Sequence, residues 1–179
     1  MLLVPLRRMV LSPERLVANL HLTPTSRVLE IGPGPGFFSI DVARAIPQGR
    51  LELVDIQIEM LQKARRRLRS AGVENTGYTQ SNAATLPFRA GVFDVAFLVA
   101  VLGEVSDPKA CVSAIAAALR PGGRLSVAEL PGDPDALTEQ QLRTLTDGTG
   151  LEFIETVKVS RALLASFRRQ LQQTGTTAG

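Results

Sequence analysis

A glycine-rich turn carries the residue types in this chain that are best suited to chemistry. Gly32, Gly34 and Gly36 stand at alternate positions, and Glu30 stands two positions before the first of them. Glycine lets a ligand approach the backbone without a Cβ in the way, and it tolerates turn positions with φ > 0. Asp55 comes nineteen residues after Gly36, close to the spacing at which a carboxylate accepts hydrogen bonds from ribose hydroxyls. Together these residues indicate a site for a nucleotide-like ligand, although Asp55 alone is also explained as an acid at a helix N-terminus.

The spacing of the glycines argues against a dinucleotide site. The fingerprint G-x-G-x-x-G would place glycine at position 37, where the chain has Phe37. Pro33 and Pro35 lie between the glycines, where they fix φ and remove two backbone N–H donors. A pyrophosphate is bound by many such donors. An NAD(P)-dependent dehydrogenase is therefore disfavoured.

Strands and helices must alternate along the chain to position these residues. Val28–Ile31 is a short apolar run typical of a buried strand in a parallel sheet, and the apolar residues after Gly36 recur at roughly helical spacing. Similar patterns predict strands at residues 51–55, 78–80, 92–98 and 125–129, helices at 12–20, 58–71, 107–119 and 138–148, and a closing hairpin of 151–160 with 161–168. The chain is therefore predicted to have an α/β fold with helices on both faces of the sheet.

Length and composition limit the classes of protein to consider. At 179 residues, with 45% hydrophobic and 21% charged residues, the chain is expected to form one globular domain. A single cysteine and a single histidine exclude an internal disulfide, a cysteine zinc cluster and a histidine-rich metal site. These counts indicate a reducing compartment, and a cytoplasmic location is expected. No signal peptide and no transmembrane segment is predicted, and the net charge of +3 gives no strong nucleic-acid signal.

Four segments, in order, resemble the class I S-adenosylmethionine-dependent methyltransferases. They are the acid-x-Gly-x-Gly-x-Gly run at 30–36, the acid at the end of the second strand, the segment 82–88 and the Leu-x-Pro-Gly-Gly turn at 119–123. The resemblance covers about residues 27–168. It is closest to the small UbiE-like branch, which includes enzymes that methylate quinones and other small molecules. It implies a Rossmann-like class I methyltransferase fold, in which a seven-stranded, mostly parallel sheet with an antiparallel C-terminal hairpin has helices on both faces.

The resemblance also implies roles for individual residues around S-adenosylmethionine. Asp55 would accept hydrogen bonds from the ribose hydroxyls, and Ile56 would pack on adenine. Asn82 stands where the family usually has aspartate. Its carbonyl can still accept from the adenine amino group, while the adjacent backbone N–H at Ala83 faces a ring nitrogen. The other expected cofactor contacts come from the first motif and from the backbone at the end of the fourth strand: Glu30, Gly32, Gly34, Gly36, Leu98 and Val99.

The implied reaction is an in-line displacement on the methyl group of S-adenosylmethionine. An O, N, S or C nucleophile of a small acceptor takes the methyl group, and S-adenosyl-L-homocysteine is left. Glu104 is the ionisable residue expected to face the acceptor as a catalytic group, with an exposed loop acid as the alternative. Relatives often carry a histidine pair at the positions of Gly103 and Glu104, and no metal-ligand cluster is predicted.

Two other classes of function stay open because the chain shows little apparatus for an acceptor. One is a non-catalytic partner or regulatory subunit that binds S-adenosylmethionine. The other is an enzyme that uses the same cofactor for aminopropyl transfer, which would call for acids lining an amine site.

Three regions are expected along the chain. Residues 1–22 are predicted to form a helical lid over the methyl-transfer site, and its apolar character would suit a hydrophobic acceptor. Core packing or a homodimer contact is the alternative for this segment. Residues 23–169 are predicted to form the methyltransferase domain, and residues 170–179 a flexible tail. The basic residues of the predicted helix 58–71 are interpreted as a solvated face, with a docking patch as the alternative.

Overall fold

The computed structural model describes residues 11–159 and 161–171 and contains a seven-stranded sheet. The strands are β1 (Arg27–Ile31), β2 (Arg50–Asp55), β3 (Thr76–Gln80), β4 (Phe93–Val99), β5 (Leu119–Glu129), β6 (Leu151–Val159) and β7 (Ala162–Arg169). The helices are α1 (Pro13–Leu20), α2 (Ser39–Ala45), α3 (Ile58–Ser70), α4 (Pro108–Ala118) and α5 (Glu139–Thr146), and a short 3-10 helix spans Leu102–Glu104.

The order of the strands in the sheet is β3-β2-β1-β4-β5-β7-β6. The first five strands of the chain pair in parallel, whereas β7 pairs antiparallel with both β5 and β6. Parallel neighbours need crossover connections, which here are mostly helical. This topology confirms the predicted Rossmann-like fold with its antiparallel C-terminal hairpin.

Successive residues of the central strands pack into core layers on opposite faces of the sheet. Val28 lies with buried side chains of α1, α2 and α3, whereas the next residue, Leu29, lies with those of α4 and α5. This follows from the alternation of side chains along a strand. On α3, Leu61, Ala64 and Leu68 are buried, and the basic residues of that helix are exposed.

Several helices begin where local capping chemistry predicts. Ser12 caps α1 by accepting a hydrogen bond from the N–H of Arg15, and Asp107 caps α4 in the same way. Thr138 and Gln141 form a capping box at the start of α5. Each of these side chains satisfies an N–H group that has no partner within its helix.

Strand β5 begins earlier than predicted. The sequence predicts a turn at 119–123 and a strand only from Leu125, but β5 already pairs at Leu119, opposite Phe93. The pairing register shifts between Phe93 and Val95, and Gly122 has a φ of +78°. The glycines therefore form an irregularity within a strand instead of reversing the chain before it.

The described part of the predicted lid, residues 11–22, contributes to the core. Leu11, Leu16 and Leu20 are fully buried in the layer that contains α2. This is the core packing that the sequence left open as an alternative. Residues 1–10 and 172–179 lie outside the described residues, so a lid at 1–10 and a flexible C-terminal tail stay predictions.

Candidate active site

A cavity of about 460 Å³ opens at the carboxyl ends of β1, β2 and β4. Strands β2 and β4 flank β1 on opposite sides, and open α/β sheets bind their ligands at such a reversal of strand order. The volume is within the range typical of small-molecule sites. The predicted site residues that line the cavity are Gly32, Gly34, Asp55, Ile56, Asn82, Ala83 and Glu104. Lining residues that the sequence did not single out include Gln57, Met60, Ser81, Val101, Val105 and Ser106.

The glycines of the turn have different surroundings. Gly34 has a φ of +54° and lines the cavity, and apart from its chain neighbours no atom lies within 4 Å of the place where its Cβ would stand. Gly36 has a φ of +76°, and a Cβ there would lie 2.8 Å from Leu68 Cδ1 of α3. Gly36 does not line the cavity. Gly34 therefore gives a ligand room, whereas Gly36 lets the turn pack closely on α3.

Glu30 lies in the core behind the glycine turn, and it does not line the cavity. Ser39 Oγ donates a hydrogen bond to Glu30 Oε2 at 2.6 Å, which ties β1 to the first turn of α2. Burial raises the pKa of Glu30 to about 8; the hydrogen bond from Ser39 lowers it, and the carboxylate of Asp55 raises it. Glu30 thus helps to fix β1 and α2, the elements on either side of the glycine turn, relative to each other.

Asp55 ends β2 and lines the cavity together with Ile56, whose surface is 62% exposed. Asp55 Oδ1 accepts a hydrogen bond from the N–H of Gln57 at 2.9 Å. Burial raises the pKa of Asp55, and hydrogen bonds from the N–H groups of Gln57, Gly34 and Ile56 lower it. The Asp55 carboxylate, oriented by these hydrogen bonds, can accept further hydrogen bonds from a sugar. The exposed side chain of Ile56 beside it can pack against a planar base.

Asn82 and Ala83 follow β3 and line another part of the cavity. Asn82 Oδ1 accepts a hydrogen bond from the N–H of Ala84 at 2.9 Å, which holds the loop in an Asx turn. The carbonyl oxygen keeps a second lone pair, and the amide nitrogen keeps its donors. The side chain can therefore still pair with the edge of a heteroaromatic ring.

The backbone turns sharply where β4 ends. Leu98 and Val99 are buried and do not line the cavity, whereas the next two residues, Ala100 and Val101, do. Ala100 has a φ of +53°, and its N–H donates to the carbonyl of Ala128 at 2.8 Å. A non-glycine residue in this region costs roughly 1–3 kcal/mol, and such strain is concentrated at functional sites. The cavity-facing backbone after β4 is thus residues 100–101.

Glu104 lines the cavity and also belongs to a cluster of acids. One carboxylate oxygen from each of Glu104, Asp133 and Asp135 lies within 4.8 Å of the other two. The loop after β5 reaches Glu104 because Gly103 has no side chain: a Cβ there would lie 1.8 Å from the carbonyl oxygen of Asp135. Sequence reasoning found Glu104 but missed the other two acids, since they belong to a different connection between elements.

Glu129, at the end of β5, is a second residue that sequence reasoning missed. It is 5% exposed, and its Oε1 has no hydrogen-bond partner among the described residues. Burial raises the pKa of Glu129 to about 7; a hydrogen bond from the N–H of Leu137 lowers it, and the carboxylate of Asp133 raises it. The sequence marks Glu129 only as the last residue of a strand.

A parallel α/β sheet with an antiparallel hairpin and a cavity at its switch point defines a Rossmann-like protein for nucleotide-like ligands. The model of the family described as a methyltransferase domain matches residues 28–123, more than half of the chain. The chain belongs to this methyltransferase domain family. The predicted class I methyltransferase family is thereby confirmed, and the family's cofactor is S-adenosylmethionine.

Several individual proteins resemble the chain over different lengths. Ubiquinone/menaquinone biosynthesis C-methyltransferase UbiE of Pasteurella multocida is 37% identical over 105 residues, which cover 58% of this chain and 39% of that protein. The chain thus matches about two fifths of that relative's length. A SAM-dependent methyltransferase from Aquifex aeolicus has a TM-score of 0.83 at 19% identity and 92% coverage of both chains. The cyclase SpnF has a TM-score of 0.77 at 20% identity, covering 87% of this chain and 79% of that one. At such identities the two structures show the fold alone.

Proposed function

We propose that the chain is an S-adenosylmethionine-dependent methyltransferase that acts on an O, N or C nucleophile of a small, hydrophobic acceptor. The observation that carries the proposal is the pairing of the Asp55 carboxylate with the exposed side chain of Ile56, in a cavity bordered by the glycine turn. In this proposal, the carboxylate of Asp55 accepts hydrogen bonds from the ribose, and the side chain of Ile56 packs on adenine.

The residues around the cavity fit S-adenosylmethionine chemically. Asp55 and Glu104 are the charged residues that line it within the described part of the chain, and both are acids. A set of acids suits a ligand that carries a positive sulfonium, and the amide of Asn82 suits a base edge. Gly34 leaves space that a side chain would occupy. These residues support a site in which the sugar, the base and the cationic end would contact separate groups.

When bound, S-adenosylmethionine supplies a methyl group on a positively charged sulfur. Transfer would return the electron pair of the broken C–S bond to sulfur as the acceptor's nucleophile formed the new bond to carbon, so no external oxidant or reductant would be needed. The chain orients the two partners and excludes water, and orientation can contribute roughly 7–11 kcal/mol in favourable systems. Where the acceptor must lose a proton, Glu104 can receive it.

A quinone-like acceptor is the finer part of the proposal. Its support is the similarity to UbiE, whose name gives C-methylation in ubiquinone and menaquinone biosynthesis. The apolar side chains of Val101 and Val105, which line the cavity near Glu104, fit a hydrophobic ring. Within the described ranges, no helix is long and apolar enough to cross a membrane.

Transfer of a labelled methyl group tests the proposal. The full chain is incubated with methyl-labelled S-adenosylmethionine and a panel of lipophilic quinols, phenols and amines, and labelled product is measured after extraction. We expect label in at least one acceptor, with an equal amount of S-adenosyl-L-homocysteine formed. Bound cofactor without transfer to any member of the panel would contradict the enzymatic proposal and favour the second candidate.

The second candidate is a partner or regulatory subunit that binds S-adenosylmethionine without turnover. It is favoured by the close contact between Gly103 and Asp135, which leaves no room for the histidine that relatives often carry at position 103. The similarity to the cyclase SpnF is consistent with a fold that also serves other chemistry. This candidate predicts cofactor binding with no methyl transfer.

A further inference from the structure

We propose that the exposed face of helix α3 docks the protein on an anionic lipid bilayer. The docking surface consists of the residue at the start of α3 and the basic residues that follow it: Ile58, Lys63, Arg65, Arg66, Arg67 and Arg69. The use of this surface to take a hydrophobic acceptor from the bilayer rests on the proposed function. Docking itself is a separate property that can be tested without cofactor or acceptor.

The positive charge of the chain is concentrated on α3. This helix has five basic residues and one acid, Glu59, whereas the rest of the chain has 15 basic residues and 16 acids. The net charge of +3 therefore comes from one helix of 13 residues. All five basic side chains are exposed. A positive surface of this kind is attracted to anionic lipid headgroups.

Other charges of the protein do not balance this face. Among residues 11–159 and 161–171, none of the ion pairs includes a residue of α3. Lys63, Arg66 and Arg69 are spaced three apart, so like charges are neighbours on the helix surface and destabilise the helix. The helix dipole accounts for the basic residues of the last turn alone, Arg67 and Arg69. A role in binding accounts for the whole set.

The start of α3 adds an apolar side chain on the same side of the helix. Ile58 is 39% exposed. Arg66 and Arg69 follow Ile58 by eight and eleven residues, and at 3.6 residues per turn all three lie within about 80° of one another around the helix axis. Exposed aliphatic and basic side chains together are typical of surfaces that lie at a bilayer interface.

The docking surface borders the cavity. Helix α3 begins at the part of the cavity lined by Gln57 and Met60. Its 13 residues give a length of about 20 Å. Contact along this length would therefore hold the rim of the cavity beside the bilayer, where a hydrophobic acceptor partitions.

A bilayer fits this surface better than a nucleic acid does. Proteins that bind single strands stack bases on aromatic rings, and helix α3 contains no aromatic residue. The ring of Tyr78, on the neighbouring strand β3, already has the guanidinium carbon of Arg65 over it at 5.8 Å. The exposed aliphatic chain of Ile58 suits the acyl region of a bilayer but makes no specific contact with a phosphate.

Co-sedimentation of the full chain with vesicles tests the proposal. The vesicles contain phosphatidylcholine alone or equal parts of phosphatidylcholine and phosphatidylglycerol. The variants are Arg66→Gln/Arg69→Gln and the charge-matched control Arg89→Gln/Arg161→Gln, which removes two exposed arginines outside α3. Circular dichroism checks that each variant is folded.

Each cation at an anionic surface raises the partition coefficient roughly fivefold. We therefore expect the wild type to bind the mixed vesicles but not the neutral ones, and added salt to weaken this binding. Binding should be at least tenfold weaker in Arg66→Gln/Arg69→Gln and close to the wild-type value in the control.

Absence of wild-type binding to the mixed vesicles, or equal weakening in the two double variants, would overturn the proposal. Binding of a single-stranded RNA in place of the vesicles, with the same dependence on Arg66 and Arg69, would also overturn it and favour a nucleic acid. Titration of the same samples with S-adenosyl-L-homocysteine separates the two claims. Nucleoside binding without vesicle binding removes this inference alone, and the reverse result removes the proposed function alone.

Discussion

The side chain of Glu30 is buried in the folded chain and accepts a hydrogen bond from Ser39. Burial raises its pKa from the ordinary value of 4.5 to about 8. Between these values the unfolded chain releases the proton while the folded chain keeps it. The free energy of unfolding therefore falls as pH rises through this window, by at most about 1.4 kcal/mol per pH unit. We expect Glu30→Gln, which keeps an acceptor for Ser39, to remove this part of the pH dependence measured by urea unfolding.

The exposed acid Glu74 provides the control for this measurement. The Glu74→Gln variant should keep the wild-type dependence of unfolding free energy on pH. If Glu30→Gln also kept it over the whole window, Glu30 would be ionised in the folded chain, and burial would not govern its protonation.

Asp55 is the residue on which cofactor affinity is expected to depend most directly. A carboxylate that accepts hydrogen bonds from the ribose contributes about 1.5–3 kcal/mol, which corresponds to a roughly ten- to hundredfold change in affinity. We expect Asp55→Ala to weaken binding of S-adenosyl-L-homocysteine by this factor while the fold is retained, as measured by calorimetry and circular dichroism.

A milder variant guards against a loss of local structure. Asp55→Asn keeps an oxygen for the N–H groups of Gln57 and Gly34 but removes the charge, so it should weaken binding less than alanine does. Glu74→Ala should bind as the wild type does. Wild-type affinity in folded Asp55→Ala would rule out the ribose role.

At the scale of elements, two glycines of the same turn have different roles: Gly34 lines the cavity, and Gly36 packs against α3. A Cβ at position 36 would collide with Leu68 of α3 in a left-handed backbone, so Gly36→Ala should lower the free energy of unfolding by about 2–4 kcal/mol. A Cβ at position 34 has no atom within 4 Å apart from its chain neighbours, and Gly34 lines the cavity. Gly34→Ala should therefore cost only about 1–2 kcal/mol of stability and mainly weaken cofactor binding.

Urea unfolding and titration with S-adenosyl-L-homocysteine, applied to both variants, check this division. The two substitutions are matched, because each adds one methyl group to a glycine with positive φ in the same turn. Equal losses of stability and of affinity in the two variants would contradict the assignment of separate roles.

Features with local causes were predictable from the sequence, whereas contacts between elements were not. The caps at Ser12 and Thr138 follow from side chains that bond within one helical turn, and Asp55 lies in the cavity because the carboxyl ends of parallel strands meet there. The early start of β5 depends on pairing with β4, which no local pattern contains. The approach of Asp133 to Glu104 likewise depends on how two loops pack across the sheet edge.

At the scale of the whole molecule, the loops at the carboxyl ends of the strands form two neighbouring regions. Strands β1 to β3 end at the residues proposed for the adenosine part, and the loops after β4 and β5 hold the acidic cluster. Asp94 links strands β1 and β4 at the opposite edge of the sheet, where both strands begin. Its carboxylate accepts a hydrogen bond from the N–H of Arg27 at 2.7 Å and forms an ion pair with Arg120 at 2.5 Å. An acceptor beside Glu104 would meet the cofactor near the end of β4, where Ala100 turns the chain.

Calorimetric titration of the full chain with S-adenosyl-L-homocysteine, S-adenosylmethionine and NAD in parallel tests the central claim most directly. Pro33 and Pro35 remove two N–H donors that a pyrophosphate would use, and Asp55 with Ile56 suits adenosine. We predict binding of the first two compounds with one site per chain and no binding of NAD. Binding of NAD without binding of S-adenosyl-L-homocysteine would contradict the account.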